Sequence, residues 1–363
     1  MVMNRLQPML ISGLLPLLIF TWFTRDIVGQ IDFWLMWLVA MTLVGLPLVF
    51  AEIALAHRSG TTPLVGLPKL TREADIGTVW RGFGWLTVVL LMVVVGHLLA
   101  SSAQVLQPMV SNVATPALLA IMALVMIGLS FTKQLAGWLA FGLGVVALGL
   151  NVSQSGFATW QMTATSLTEW SLAVVLALVC VGVGTGLFWQ ARANQLLLSN
   201  STESDNEKAI ASRHVLPVWC FQMVAGALVA MAVTPTSSLA SIAYALAMVA
   251  GGAYLLHLLT HQLSLRLFQR GFNFLALVIV AVVSLGISLL PTALLNQVLM
   301  ILSLISAVWL AVFAGWQMKI SHLRKSLNFG SEGIYNIWRI AVRIIVPLAV
   351  VLAVVGWLMG LMK

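Results

Sequence analysis

The residues of this chain that could do chemistry are few, and they sit inside long apolar stretches. The densest group is Gly182-Val183-Gly184-Thr185-Gly186, flanked by Cys180 and by Phe188-Trp189. Three alternating glycines make it easy to leave the helix, and an unwound segment would offer free carbonyls and amides to a solute or ion. Small residues also serve close helix crossings, so composition leaves both readings open. Glu52 lies late in an apolar run. A carboxylate at the bilayer centre costs roughly 2.5–3.5 kcal/mol on insertion scales. Glu52 therefore faces protein, bracing the amides of an interrupted helix or moving protons, or it is hydrated near the interface beside His57 and Arg58. His97 is a lone imidazole among Val and Leu, suited to an interhelical hydrogen bond or to touching a solute. His257 and His261 share a helix face, but no carboxylate or cysteine nearby completes a metal site, and they read as interfacial. Cys180 and Cys220 form no disulfide framework. With no nucleophile–base pair, phosphate loop or metal cluster in view, an enzyme is not expected.

The elements that must position these residues follow from composition. The chain has 363 residues, is 61% apolar and carries only 8% charged residues. A soluble domain of this length carries about a quarter charged residues, so the excess apolar surface faces lipid. At roughly 20 apolar residues per crossing, eleven spans emerge, near 8–23, 33–56, 84–106, 113–131, 134–152, 171–190, 215–234, 239–262, 273–291, 294–318 and 340–361. The first has no small-residue cleavage site behind it and reads as a retained helix. With the N-terminus inside, inner segments hold 15 Lys and Arg, among them Arg58, Lys69, Arg81, Lys133 and Arg192, while outer ones hold only Arg25 and Lys363. That asymmetry predicts a cytoplasmic N-terminus and an outer C-terminus. It also explains the net charge of +8 through loops facing anionic lipid, with no need for nucleic acid. Tryptophans near span ends (Trp22, Trp34, Trp80, Trp160, Trp170, Trp338) read as interfacial anchors.

Non-helical backbone survives in a membrane only when buried in protein or lining a cavity. Span six is the strongest candidate for interruption, and Gly13 with Pro16 could kink or break span one. Spans one and six are five apart, so paired interruptions would mark two inverted halves, 8–152 and 171–318, with 340–361 peripheral, within one transmembrane domain over 1–363. Gly142-Leu143-Gly144 and Gly251-Gly252 read as packing. The polar run 200–208 could begin the seventh helix ahead of its membrane portion.

Several of these residues resemble a known family. Val44-Gly45-Leu46-Pro47-Leu48 with Glu52, then Arg58-Ser59-Gly60-Thr61-Thr62-Pro63, then Phe83-Gly84-Trp85, are similar to the second helix, first inner loop and third-helix start of the neurotransmitter:sodium symporters. Gly182-Val183-Gly184 resembles that family's unwound sixth helix, and Asn206-Glu207-Lys208-Ala209 the start of its seventh. Tyr335, Arg343 and Pro347 fit the opening of its eleventh. The resemblance implies an all-α polytopic membrane protein of the leucine-transporter fold, with a 5+5 inverted repeat and one peripheral helix. It implies a secondary transporter of a small solute, an amino acid or related amine, in a bacterial inner membrane.

The departures bear on coupling. Where the family has an Asn- and Gly-rich unwound first helix ending in Arg-Phe-Pro, this chain reads SGLLPLLIFTW. The family's carboxylate-holding tyrosine corresponds to about Val95 and a sodium-binding threonine to about Leu178. Its threonine–serine pair falls in Ala247-Met248-Val249-Ala250, whereas the seventh-helix asparagine is kept as Asn206. Hard cations need oxygen ligands, so no sodium ion or other cofactor is expected at these positions, and Asn206 is the one retained ligand candidate. Sodium coupling, proton coupling through Glu52 or His97, and uniport all stay open. The expected solute site comprises Cys180, Gly182, Val183, Gly184, Thr185, Gly186, Val95 and His97, with Glu52 and Asn206 in coupling or support. The alternative is a transport-inactive binding or regulatory subunit, with a homo-oligomer or a second membrane protein as partner.

Overall fold

In a computed structural model, residues 6–23, 27, 29–199, 212–231 and 237–362 are described. Asn206, the expected sodium-ligand candidate, lies outside them. The membrane-crossing helices are α1 (Gln7–Phe23), α2 (Ile31–Ser59), α4 (Thr78–Leu106), α5 (Thr115–Ser130), α6 (Gln134–Ser155), α7 (Leu167–Cys180) continued by α8 (Leu187–Ser199), α9 (Ser212–Met231), α10 (Ser238–Leu267), α11 (Phe274–Ser288), α12 (Thr292–Gln317) and α14 (Glu332–Leu361). Two short amphipathic helices, α3 (Pro63–Ala74) and α13 (Ile320–Leu327), join them at one end. Among the described residues, seven helices are long and apolar enough to cross a bilayer unaided. Four shorter apolar ones occupy the remaining predicted spans.

Helix α10 packs along α6, α4 and α5, and α1 lies between α9, α6 and α7. α14 packs on α7 and α12 with one side, while Ile337, Ile340, Ile344, Leu348 and Val351 on its other side are exposed. In lipid those exposed side chains cost nothing, which is how so apolar a surface is tolerated.

Prolines shape two helices in the same way. In α2 the turn Met41–Gly45 widens to a π turn two residues before Pro47, and in α14 the turn Ala341–Ile345 does so before Pro347. A proline ring crowds the carbonyl four residues earlier and removes a donor, and the widened turn relieves the crowding. Side chains then serve nearby carbonyls: Trp219 Nε1 donates to Met41 O at 3.1 Å and Trp338 Nε1 to Pro47 O at 3.0 Å. Trp338 and Trp34 are thus internal rather than interfacial, both 5% exposed. Of the anchors whose side chains are described, Trp160 alone is exposed, at 42%.

The expected break in span one does not occur. α1 runs unbroken through Gly13 and Pro16. Gly13 instead makes room, since a Cβ there would lie 2.8 Å from the rings of both Phe141 and Phe221. Gly251 and Gly252 likewise admit Leu18 and Met126. Gly144 lies beside Leu17, whereas Gly142 faces open space.

At the end opposite α3, the segment before α7 straps across the start of α2. Ile31 N donates to Gln161 O at 3.0 Å, and Asp32 accepts from both the backbone amide and the hydroxyl of Thr163. Ser166 and Glu169 then form a reciprocal capping box that starts α7.

Candidate functional site

Span six is broken where the glycines predicted it. α7 ends at Cys180, the chain turns through 181–186, and α8 begins at Leu187. Gly182, Gly184 and Gly186 have φ of 63°, 78° and 66°, a region that penalises any residue with a Cβ. Local bonds hold the turn: Val183 N donates to Leu178 O at 3.1 Å, and Thr185 donates to Gly182 O through both its amide and its hydroxyl. Each glycine is also a point of close approach. A Cβ would meet Leu15 of α1 at Gly182, Ser306 of α12 at Gly184 and the Pro63 ring of α3 at Gly186.

Glu52, 1% exposed, reaches this break from α2. Its Oε1 accepts from Trp189 N at 3.4 Å, within the first turn of α8, where helix amides lack partners and the dipole favours negative charge. Two turns further along α2, Ser59 Oγ accepts from Trp189 Nε1 at 2.9 Å, and Thr61 O accepts from the same nitrogen at 2.8 Å. The glutamate, the serine and the following loop thus fix the start of α8 together.

Beside the break lies the centre of the bundle, a cavity of about 10 Å³ lined without any polar group by Leu14, Leu15 and Leu18 of α1, Leu98 of α4, Leu187 of α8 and Leu255 of α10, with their neighbours. That is about the room of one water molecule. Leu178 and residues 247–250 are buried hydrocarbon. Among the described residues, no group of three or more His, Cys, Asp or Glu could hold a metal ion.

The other expected site residues divide. Cys180 is buried at the break, its thiol directed to Gln222 O at 3.7 Å. Val183 is buried within the turn, at 1% exposure. Val95 is buried one turn before Leu98 but does not line the cavity. His97 points elsewhere: Nε2 lies 2.7 Å from Asn296 Oδ1 of α12, Ser101 Oγ lies 3.4 Å from Nδ1, and the ring stacks on Phe23. It joins α4 to α12 away from the apolar centre. Three residues near the break were not anticipated. Gln262 Nε2 donates to Thr87 Oγ1 at 3.1 Å beside Gly186, and Ser306 Oγ, buried without a hydrogen-bond partner, abuts Gly184. Their signal in the sequence was no more than a polar side chain within an apolar span, shared in each case with other polar residues such as Ser303, Thr260 and His97.

No protein-family model and no curated protein matches the chain. Among solved structures, the crystal structure of MhsT in complex with L-phenylalanine is similar, with a TM-score of 0.62 over 97% of this chain and 98% of that one at 14% identity. MhsT has the leucine-transporter fold. At that identity the likeness speaks to the fold alone, and it makes this chain an all-α polytopic membrane protein of that fold.

Proposed function

We propose that the protein is a secondary transporter of a small solute, an amino acid or related amine, working by alternating access in two inverted five-helix halves, with the N-terminus cytoplasmic. The observation that carries this reading is the glycine turn 181–186. It interrupts a buried helix beside the bundle centre and is braced by Glu52, as expected of backbone that meets a solute at mid-membrane. The apolar cavity wall favours a solute with a hydrocarbon body, and MhsT was crystallised with L-phenylalanine. The hydrocarbon at Leu178 and residues 247–250 argues for coupling without sodium at those positions.

The room for one water at the centre, together with an unbroken α1, supports a second reading, a transport-inactive subunit that binds a partner. Uptake of radiolabelled L-phenylalanine and L-leucine into proteoliposomes, under sodium, proton or no gradient, separates the two. Saturable uptake or exchange above protein-free liposomes is expected for the transporter. Its absence under every gradient, together with a stoichiometric copurifying membrane protein, would establish the subunit.

A further inference from the structure

A second cavity, polar and much larger than the centre, opens at the end of the bundle that carries α3. Its volume is about 350 Å³, within the range of small-molecule sites, which begin at roughly 300 Å³. Gln7 of α1, Lys133 before α6, Gln190 of α8, and Tyr254, His257 and His261 of α10 line it. The sequence marked the two histidines as an interfacial pair, and the fold gathers the other four around them.

The lining has a definite electrostatic character. It includes the Lys133 ammonium and two imidazoles but no Asp or Glu. α6 begins at Gln134 on the cavity wall, so the positive end of a 22-residue helix adds to the field. The ammonium and the helix start favour an anion, and the imidazoles can add neutral N–H donors to it. Gln7 and Gln190, 2% and 1% exposed, add the opposite feature. Their carboxamide nitrogens are used, Gln7 Nε2 donating to Tyr254 Oη at 3.1 Å and Gln190 Nε2 to Leu258 O and to His261 Nδ1, both at 3.2 Å, while both carboxamide oxygens lack a partner. Two buried acceptors without donors are costly, and a ligand carrying N–H or O–H groups would satisfy them.

Lys133 supplies a further argument. It sits at φ 56°, ψ −121°, backbone that glycine adopts freely and that strains any other residue. A lysine is held where glycine would fit better, and such strain is characteristic of functional positions.

We propose that this cavity binds a small carboxylate that also carries a hydrogen-bond donor, as an amino-acid zwitterion does. The carboxylate sits toward Lys133, His257, His261 and the start of α6, and the donor end sits toward Gln7 and Gln190. This site is distinct from the apolar centre, and its occupancy does not depend on transport.

Calorimetric titration of L-alanine into the full-length detergent-solubilised protein tests it, with propionate and inorganic phosphate as comparison ligands. Wild type should bind L-alanine saturably and propionate at least tenfold more weakly, with phosphate also weaker than L-alanine. K133G should lose at least tenfold in L-alanine affinity while melting at a higher temperature, because relief of the strained backbone makes misfolding an unsuitable explanation for the loss. H257Q/H261Q should weaken binding as well. Absence of saturable heat with L-alanine, tighter binding of phosphate, or K133G binding as well as wild type would each overturn the proposal. L-alanine held at the apolar centre would be indifferent to Lys133, and so would also count against it. If proteoliposomes show no uptake but L-alanine binding depends on Lys133, the transport reading falls and this one stands.

Discussion

Replacing Gly184 with alanine asks the most of the span-six turn. Its φ of 78° strains a residue with a side chain, and a Cβ there would run into Ser306. The backbone contribution is about 1–3 kcal/mol and the overpacking contribution about 1–3 kcal/mol, so Gly184→Ala should destabilise by about 2–6 kcal/mol. The packing part is separable. Ser306→Gly removes the atoms in the way, so the double variant should recover about 1–3 kcal/mol as a coupling energy and retain the strain. Gly142→Ala is the control. Its Cβ would enter open space within a helix, where alanine is favoured over glycine by about 0.5–1 kcal/mol. Equilibrium unfolding in mixed micelles, followed by circular dichroism, measures all four. A Gly184→Ala variant as stable as Gly142→Ala, or no coupling to Ser306, would refute the account of the break.

Glu52→Ala leaves the buried Trp189 amide without its acceptor and should cost about 1–3 kcal/mol; Glu52→Gln keeps an oxygen there and should lose clearly less, as read from melting temperatures. Trp338→Phe keeps an aromatic ring but removes the Nε1 donor to the Pro47 carbonyl, which stays within the helical ladder of α2, for a loss of about 0.5–1.5 kcal/mol in the same assay, while replacement of the exposed Trp160 by Phe should change little.

How much of this was legible depends on where each constraint originates. The span-six break was written locally, because three glycines at alternate positions can be read from one stretch of chain. Glu52 could be assigned to brace it because a carboxylate in an apolar run must find donors inside the protein. Gly13 in span one looked like the same kind of signal and was not. Its need is set by Phe141 and Phe221, which arrive from two distant helices, and nothing near residue 13 announces them. Trp338 misled for a related reason, since its place near a span end fits an anchor and its true partner, the Pro47 carbonyl, lies 291 residues away. The His257–His261 pair was visible one turn apart, but its meaning depends on Gln7 and Gln190 arriving from two other helices and Lys133 from the turn before α6. Ser306, Thr87 and Gln262 follow the same rule.

The central claim is that the closed apolar centre opens to each face of the membrane in turn. It is tested most directly by a cysteine at Leu14 in a Cys180→Ala, Cys220→Ser background. The protein is reconstituted in one orientation and treated with a membrane-impermeant maleimide from either side. The account predicts that the thiol is labelled from both sides, and that prior labelling from one blocks the other. A thiol that reacts from neither side, or from one side only, would contradict alternating access and leave a closed bundle that binds without transporting.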